Sequence, residues 1–378
     1  MRLNEFILPV PILWGYYFGS NELLNMTGSP TTESPYELLL RAAFLIPISH
    51  YFCGISLIII LFLYNFMDIH FLEDLFTGFT GQPVTLTFSS SSQLYRDVVS
   101  KCGVLHGRYL STPWLSSPHL QTIFVHYFGN PPAVNYRRTR VQRWGTTHVM
   151  SATQVFTAPD GGTIALDWVI NAEVNEPVVH VNEALGCDGR NPIIIIIPGL
   201  ASASDSAYVK HLAYKMAKSG CNVVVSNHRG LGGVPITSDC FYTAERTDDV
   251  RSVIRLIHRQ YPEAPLFAVG TSVGANILVK YLGEDGIKVP LIGAAAICSP
   301  WDSLLVDRFL RRRLVQRLYS KALTDDMKKY ASLHEDVLSR LSNWEAVKQS
   351  CTAREFDNAA TRFLANYCGY ILQKVWQL

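Results

Sequence analysis

Leu266-Phe267-Ala268-Val269-Gly270-Thr271-Ser272-Val273-Gly274-Ala275-Asn276-Ile277-Leu278 is the stretch on which the fold turns. An apolar run suited to a buried strand, Leu266 to Val269, meets a Gly-x-Ser-x-Gly turn, and an apolar helix follows. The pattern alone is weak, but between a strand and a helix it has a mechanical reason. The turn must be sharp and strained to lift a serine hydroxyl above a sheet, and Gly270 and Gly274 remove the Cβ atoms that would strike neighbouring elements. An ordinary βα turn with a capping serine is the plainer alternative. The flanks favour the strained turn, which makes Ser272 the candidate nucleophile.

Working outward, five isoleucines, Ile193 to Ile197, stand between Pro192 and Pro198. So short and uninterrupted a β-branched run fits a strand covered on both faces of a parallel sheet. Tyr208, Leu212, Ala213, Met216 and Ala217 then recur at helical spacing, with Gly220 placed as a stop. Asn222 to Ser226 reads as a strand, Val250, Val253, Ile254 and Ile257 as a helix, Ile277, Leu278 and Tyr281 as the helix after the serine, and Leu291 to Ile297 as a further strand. The alternation predicts an α/β fold with a doubly wound, mostly parallel sheet. Ahead of it, Thr153 to Thr157 and Thr163 to Ile170 flank Pro159-Asp160-Gly161-Gly162, a hairpin signal. Asn171 to Asn191 is polar and loop-like.

A serine nucleophile needs donors for a developing oxyanion. Pro198-Gly199-Leu200-Ala201-Ser202 leaves the isoleucine strand at the right place, and the backbone amides of Leu200 and Val273 are the candidate donors.

Composition narrows the other classes. Charged residues are 17% of the 378 and hydrophobic residues 48%, which excludes disorder, collagen and coiled coil. Lysine plus arginine (33) against aspartate plus glutamate (31) leaves +2, so no global field recruits nucleic acid or anionic membrane. The eight cysteines form no Cys-x-x-Cys pair, and His119, His126, His211, His228 and His258 lack zinc-helix spacing, so no metal is expected and the cysteines read mainly as reduced. Gly230-Leu231-Gly232-Gly233-Val234-Pro235 has proline where a dinucleotide fingerprint needs glycine, and there is no P-loop. No nucleotide and no other cofactor is expected.

The apolar excess has an address. From Ala42 to Met67 no side chain is charged; as continuous helix this stretch rises ~39 Å, enough for a ~30 Å hydrocarbon core. Pro47, Ser49 and His50 weaken its first part, so the lipid-buried segment reads as about Ile48 to Met67, a retained single-pass anchor; a buried core helix is the alternative. Phe6 to Phe18, with Pro9, Pro11 and Gly15, reads as interfacial. Arg41 against Asp68, Glu73 and Asp74 favours a cytosolic N-terminus, whereas the Asn25-Met26-Thr27 sequon needs that side to be lumenal, so side and organelle stay open.

Thr85 to Ser92 is a polar connector, and Pro113 to Thr122, dense in proline and aromatic residues, reads as an ordered arm. Arg308, Arg311, Arg312, Arg313 and Arg317 are interleaved with Phe309, Leu310, Leu314, Val315 and Leu318. On a helix they form either the solvated outer face of a lid or a surface touching lipid headgroups.

Together these motifs carry a resemblance. Ser117-Pro118-His119-Leu120-Gln121-Thr122, Asp160-Gly161-Gly162, Pro198-Gly199-Leu200, Asn227-His228-Arg229-Gly230, Gly270 to Gly274 and Cys298-Ser299-Pro300-Trp301-Asp302 resemble the YheT-like branch of the α/β-hydrolases. That branch includes plant embryogenesis-associated proteins, the nearest in pattern, and animal membrane-anchored α/β-hydrolase-domain lipases; the likeness runs from about residue 35 to residue 362. It implies a membrane-tethered serine hydrolase of short-chain carboxylesterase or acylglycerol lipase type, with Ser272 as nucleophile and a triad acid and base on loops after the last two strands. Its partners would be the lipid bilayer and an ester or lipid substrate.

The sequence departs from the family after Asp357-Asn358-Ala359-Ala360-Thr361-Arg362. Family members continue into two strands bearing Asp and a Gly-Gly-His segment, whereas Phe363 to Leu378 looks unlike them; Arg140 to Ser151 is also atypical. The expectation is a fold lacking the last two strands. The implied organisation is an N-terminal flank (1–41), an anchor (42–67), a connector and arm (68–152), a hydrolase domain (153–362, lid about 303–362) and an atypical tail (363–378). Without an imidazole base a serine hydroxyl is a poor nucleophile. Asp302 and His334 are the available substitutes, and the other outcomes are a non-catalytic lipid- or acyl-binding protein or an unstable truncated product.

Overall fold

The computed structural model describes residues 34–67, 70–138, 155–170 and 190–367. The sequon at Asn25, the apolar stretch Phe6 to Phe18, the atypical segment Arg140 to Ser151 and most of the polar stretch before Asn191 lie outside the described residues. The chain divides into two compact units, Met1–Leu61 and Phe62–Leu378.

Helix α1 (Pro35–Leu45), in the first unit, is capped by the Ser34 hydroxyl, and α2 (Ile48–Phe66) follows, its residues from Phe62 on belonging to the second unit. The stretch from Ala42 to Met67 is therefore not one continuous helix. Ile46 is extended (φ −76°, ψ 126°), as the residue before Pro47 is driven to be, and the break falls there. α2 is 19 residues long with no buried residue, and it is the one helix among those described that is long and apolar enough to cross a membrane.

The second unit opens with the arm: α3 (Phe71–Thr80), a short antiparallel pair of β1 (Gln82–Pro83) and β2 (Arg108–Tyr109), α4 (Gln93–Asp97) between them, and α5 (Pro118–Phe128). His119 faces Tyr319, with ring nitrogen Nδ1 3.0 Å from the tyrosine hydroxyl, and this contact ties the arm to the helices that follow the sheet.

The main sheet contains β3 (Arg137–Arg138), β4 (Val155–Thr157), β5 (Thr163–Val169), β6 (Ile193–Ile197), β7 (Asn222–Ser226), β8 (Leu266–Thr271) and β9 (Gly293–Ile297). Its order is β3-β5-β7-β6-β8-β9, with β4 on β5. β7, β6, β8 and β9 are parallel, and β5 runs against β7. The isoleucine strand β6 lies between β7 and β8, which is why it has no polar face. β4 and β5 form the hairpin around Asp160-Gly161-Gly162. Among the described residues, β9 is the last strand in chain order and forms one edge of the sheet.

Helices α6 (Ala207–Lys218), α7 (Asp248–Gln260) and α8 (Val273–Asp285) alternate with the strands. α7 buries Val250, Val253, Ile254 and Ile257, and α8 buries Ile277, Leu278 and Tyr281, as their spacing predicts. In α6, Ala213 and Ala217 of the expected stripe are buried together with Val209, while Leu212 and Met216 pack half-buried against the same core and Tyr208 falls outside it. The sheet surface there admits small residues, and Tyr208 is left to reach toward the site. Helices α9 (Ser303–Leu310), α10 (Leu314–Leu333), α11 (Glu335–Leu341), α12 (Trp344–Gln349) and α13 (Ala353–Tyr367) follow the sheet. α13 enters the stretch read as an atypical tail; residues from 368 onward lie outside the described residues.

Five cysteines, Cys53, Cys102, Cys221, Cys298 and Cys351, are free thiols, and Cys240 is disulfide-bonded. Among the described residues no cluster of His, Cys, Asp and Glu could hold a metal ion.

Candidate active site at the turn after β8

Among the described residues, three that are not glycine have positive φ: Ala201 (51°), Ser272 (51°) and Cys298 (53°). They lie just beyond the C-terminal ends of the adjacent parallel strands β6, β8 and β9. Strain of this kind costs on the order of 1–3 kcal/mol per residue and persists where the surroundings over-determine it. At Ser272 (ψ −118°) the surroundings are identifiable. Its N–H donates to the Ile297 carbonyl at 2.8 Å, and its own carbonyl accepts from Ala275 and Asn276 at 3.0 and 3.1 Å. The backbone is held from β9 on one side and by the first turn of α8 on the other, leaving the side chain exposed.

The two glycines of the turn answer to sterics. A Cβ on Gly270 would sit 2.6 Å from the Ala275 Cα, and one on Gly274 would collide with the carbonyl oxygens of Ile197 and Pro198. α8 therefore starts directly against the end of β6, which brings the loop from Pro198 to Ser202 beside the serine. A Cβ on Gly199 would lie 3.3 Å from the Ser272 Cβ.

That loop is pinned on both sides of Leu200. The Gly199 N–H donates to the Tyr208 hydroxyl (2.8 Å), and the Ala201 N–H donates to the Tyr242 hydroxyl (2.9 Å). The Pro198 carbonyl accepts from His228 Nε2 (2.8 Å), whose ring stacks on Tyr242 at 4.3 Å. Burial pushes the His228 imidazole below its usual range and the Tyr242 phenol up to about 12, so both serve as neutral hydrogen-bonding groups near pH 7. Among the described residues, the backbone N–H groups of Leu200 and Val273 have no acceptor. Leu200, Val273 and Ser272 line one cavity of about 430 Å³.

The rest of the cavity is largely apolar, with Phe241, Tyr242, Leu310, Met327, Tyr330 and Phe356 in its wall. α9, α10 and α13 roof it. Its charged lining comes from Glu245, Asp307, Arg354 and Asp357. Asp307 accepts from Arg354 at 3.4 Å, joining α9 to α13. Burial raises the Glu245 carboxyl above its usual range, against the lowering effect of Lys280.

The structure does not bring Asp302 or His334 to Ser272. The Asp302 carboxylate caps α9, accepting from the N–H groups of Leu304 and Leu305 at 2.8 and 2.9 Å. His334 Nε2 donates to the Gly230 carbonyl at 2.7 Å. Neither lines the cavity, so this pair is no substitute for an acid and base, and among the described residues no histidine lines it.

The family motifs away from the serine also find physical reasons. Arg229, 1% exposed, donates to Asp160 (2.7 and 2.9 Å) and to Asp249 (2.6 and 2.7 Å), fastening the β4–β5 turn to α7. The Asn227 side chain donates to buried Asp167 (2.8 Å) and accepts from the Ser204 N–H (2.8 Å), so it fixes the far end of the loop that carries Leu200. Tyr208 and Tyr242 are contributors that the sequence does not reveal; their role depends on where a hydroxyl lands in three dimensions.

An exposed hydroxyl on a strained turn, beside two amide donors without acceptors and above an apolar cavity, has the layout that acyl transfer through an oxyanion requires. Residues 190–361 match the family described as serine aminopeptidase, S33. The chain is 31% identical over 274 residues to embryogenesis-associated protein EMB8 of Picea glauca, which covers 71% of this chain and 55% of that protein. It is 29% identical to phospholipase ABHD3 of Mus musculus, covering 71% of this chain and 59% of the other. A shorter match, 30% of this chain and 26% of the other, is 42% identical to medium-chain fatty acid ethyl ester synthase/esterase 2 of Saccharomyces cerevisiae. The chain thus spans just over half the length of the first two relatives.

Proposed function

The chain belongs to the α/β-hydrolase family, and from that premise we propose that it is a membrane-anchored serine hydrolase acting on carboxylic esters of lipid or acyl type. The observation that carries the proposal is Ser272 at φ 51° beside the acceptor-free N–H groups of Leu200 and Val273 in one apolar cavity. The relatives' printed names, an esterase and a phospholipase among them, support ester chemistry. α2 supports the anchor by its length and apolarity.

In this reading the Ser272 hydroxyl oxygen attacks the acyl carbonyl carbon, and the carbonyl oxygen becomes an oxyanion held by the two amides. The bond to the leaving alcohol then breaks, the alcohol departs with the serine's proton, and water hydrolyses the acyl-serine to a carboxylic acid. The acyl chain occupies the wall of Phe241, Met327 and Phe356. Tyr208, Tyr242 and His228 are positioning residues that hold the donor loop.

A second reading, capture of an acyl or lipid ligand without turnover, is favoured by the lack of a cavity-lining histidine among the described residues. Fatty-acid release from a panel of acylglycerols and p-nitrophenyl esters, measured for the full chain and for Ser272→Ala, separates the two. Turnover abolished by the substitution supports the hydrolase; equal binding by both chains with no turnover supports the second reading.

A further inference from the structure

The apolar and basic residues of 301–318 have an inner side and an outer side. Inward, Val306 and Leu310 line the cavity above Ser272. Outward, Trp301, Leu305 and Phe309 are 77%, 59% and 50% exposed, and Leu314 and Leu318 continue the strip along α10. Arginines stand between them. Arg308 and Arg317 meet no carboxylate among the described residues, while the local acids are already engaged: Asp302 caps α9, and Asp307 holds Arg311 and Arg354. Exposed apolar side chains interleaved with cations are what an interfacial helix presents to lipid.

A second observation fixes the depth of this strip. The Arg313 guanidinium donates to the Tyr64 carbonyl at 3.4 Å, in the last turn of α2, and Phe62 onward belongs to the same compact unit as α9 and α10. The basic strip therefore meets the C-terminal turn of α2 within the second unit. At that level a membrane presents phosphates, with aromatic rings and long cationic side chains as the favoured neighbours.

We propose that the outer face of α9 and the start of α10 forms a second membrane contact, seated in the headgroup layer of an anionic bilayer. Trp301, Leu305 and Phe309 enter the acyl boundary, Arg308 and Arg317 meet lipid phosphates, and the cavity beneath α9 lies at the membrane surface. This rests on the reading of α2 as an anchor but not on turnover at Ser272.

The test places the photo-crosslinking residue p-benzoylphenylalanine at Leu305 in the full chain, reconstituted in phosphatidylcholine vesicles with or without phosphatidylserine. The expected result is a phospholipid adduct on the peptide containing position 305, raised about tenfold by phosphatidylserine. Arg308→Glu with Arg317→Glu should remove that increase, and Arg308→Lys with Arg317→Lys should keep it. The same crosslinker at Lys329, 77% exposed on the later part of α10, should give no lipid adduct. A chain that resists carbonate extraction but shows no lipid adduct at 305, or crosslinks there to protein instead, overturns the second contact while leaving the anchor standing. A chain that carbonate extracts from every vesicle overturns the anchor and this proposal with it.

Discussion

The Tyr242 hydroxyl accepts the backbone N–H of Ala201 at 2.9 Å, one residue beyond the amide of Leu200, and thereby sets the direction of the loop facing Ser272. Tyr208 does the same one residue earlier, through the N–H of Gly199. Tyr242→Phe and Tyr208→Phe each leave a loop amide without its acceptor, at a cost of about 1–3 kcal/mol where no water replaces it. The expected outcome is a fall in kcat of tenfold or more with little change in KM, because the donors act on the transition state. A rise in KM alone would mean that the tyrosines shape the binding cavity instead.

Two glycines of α8 give opposite expectations. At Gly274 a Cβ would strike the carbonyl oxygens of Ile197 and Pro198, which are backbone and cannot swing away. Gly274→Ala should destabilise by about 3 kcal/mol or more, or abolish folding. At Gly283 nothing lies within 4 Å of the added atom, so Gly283→Ala should raise stability by up to about 1 kcal/mol through helix propensity. Urea unfolding of the two variants against the parent chain checks the pair.

Much of this architecture is legible in the sequence because its causes are local. Ile193 to Ile197 can only be satisfied between two strands, and the spacing of Gly270, Ser272 and Gly274 states a steric requirement. The hidden part depends on tertiary placement. Asp302 follows a strand and has the right chemistry for an acid, but one turn of backbone decides that its carboxylate caps α9. His334 is likewise claimed by Gly230. Tyr208 reads as part of a helical stripe and is instead left outside the buried line, free to reach Gly199.

Those placements predict what Asp302 and His334 do not do. His334→Gln should leave the reactivity of Ser272 within about twofold, since its ring nitrogen serves a carbonyl outside the cavity. Asp302→Ala should cost about 1 kcal/mol of stability from the lost cap. Loss of serine reactivity in His334→Gln with retained thermal stability would reinstate the histidine as a base.

Asp160 carries a pH dependence. Burial alone would raise its carboxyl, but the hydrogen bonds and charge of Arg229 prevail and hold it at about 2. Its folded value lies below its unfolded one, so the stability it contributes is fully present above about pH 4 and is lost as pH falls through about 2. Asp160→Asn should destabilise the chain by about 1 kcal/mol at pH 7, because the carboxylate is partly solvated and Asp249 still holds Arg229. The gap between parent and variant should shrink between pH 4 and pH 2; a gap independent of pH would assign the loss to packing.

The most direct measurement is the mass and position of a fluorophosphonate adduct on the full chain. The account predicts one adduct per chain, mapped to the peptide containing Ser272, absent in Ser272→Ala and strongly slowed in Tyr242→Phe. A folded chain that takes no adduct at Ser272, or is labelled equally after Ser272→Ala, would contradict it.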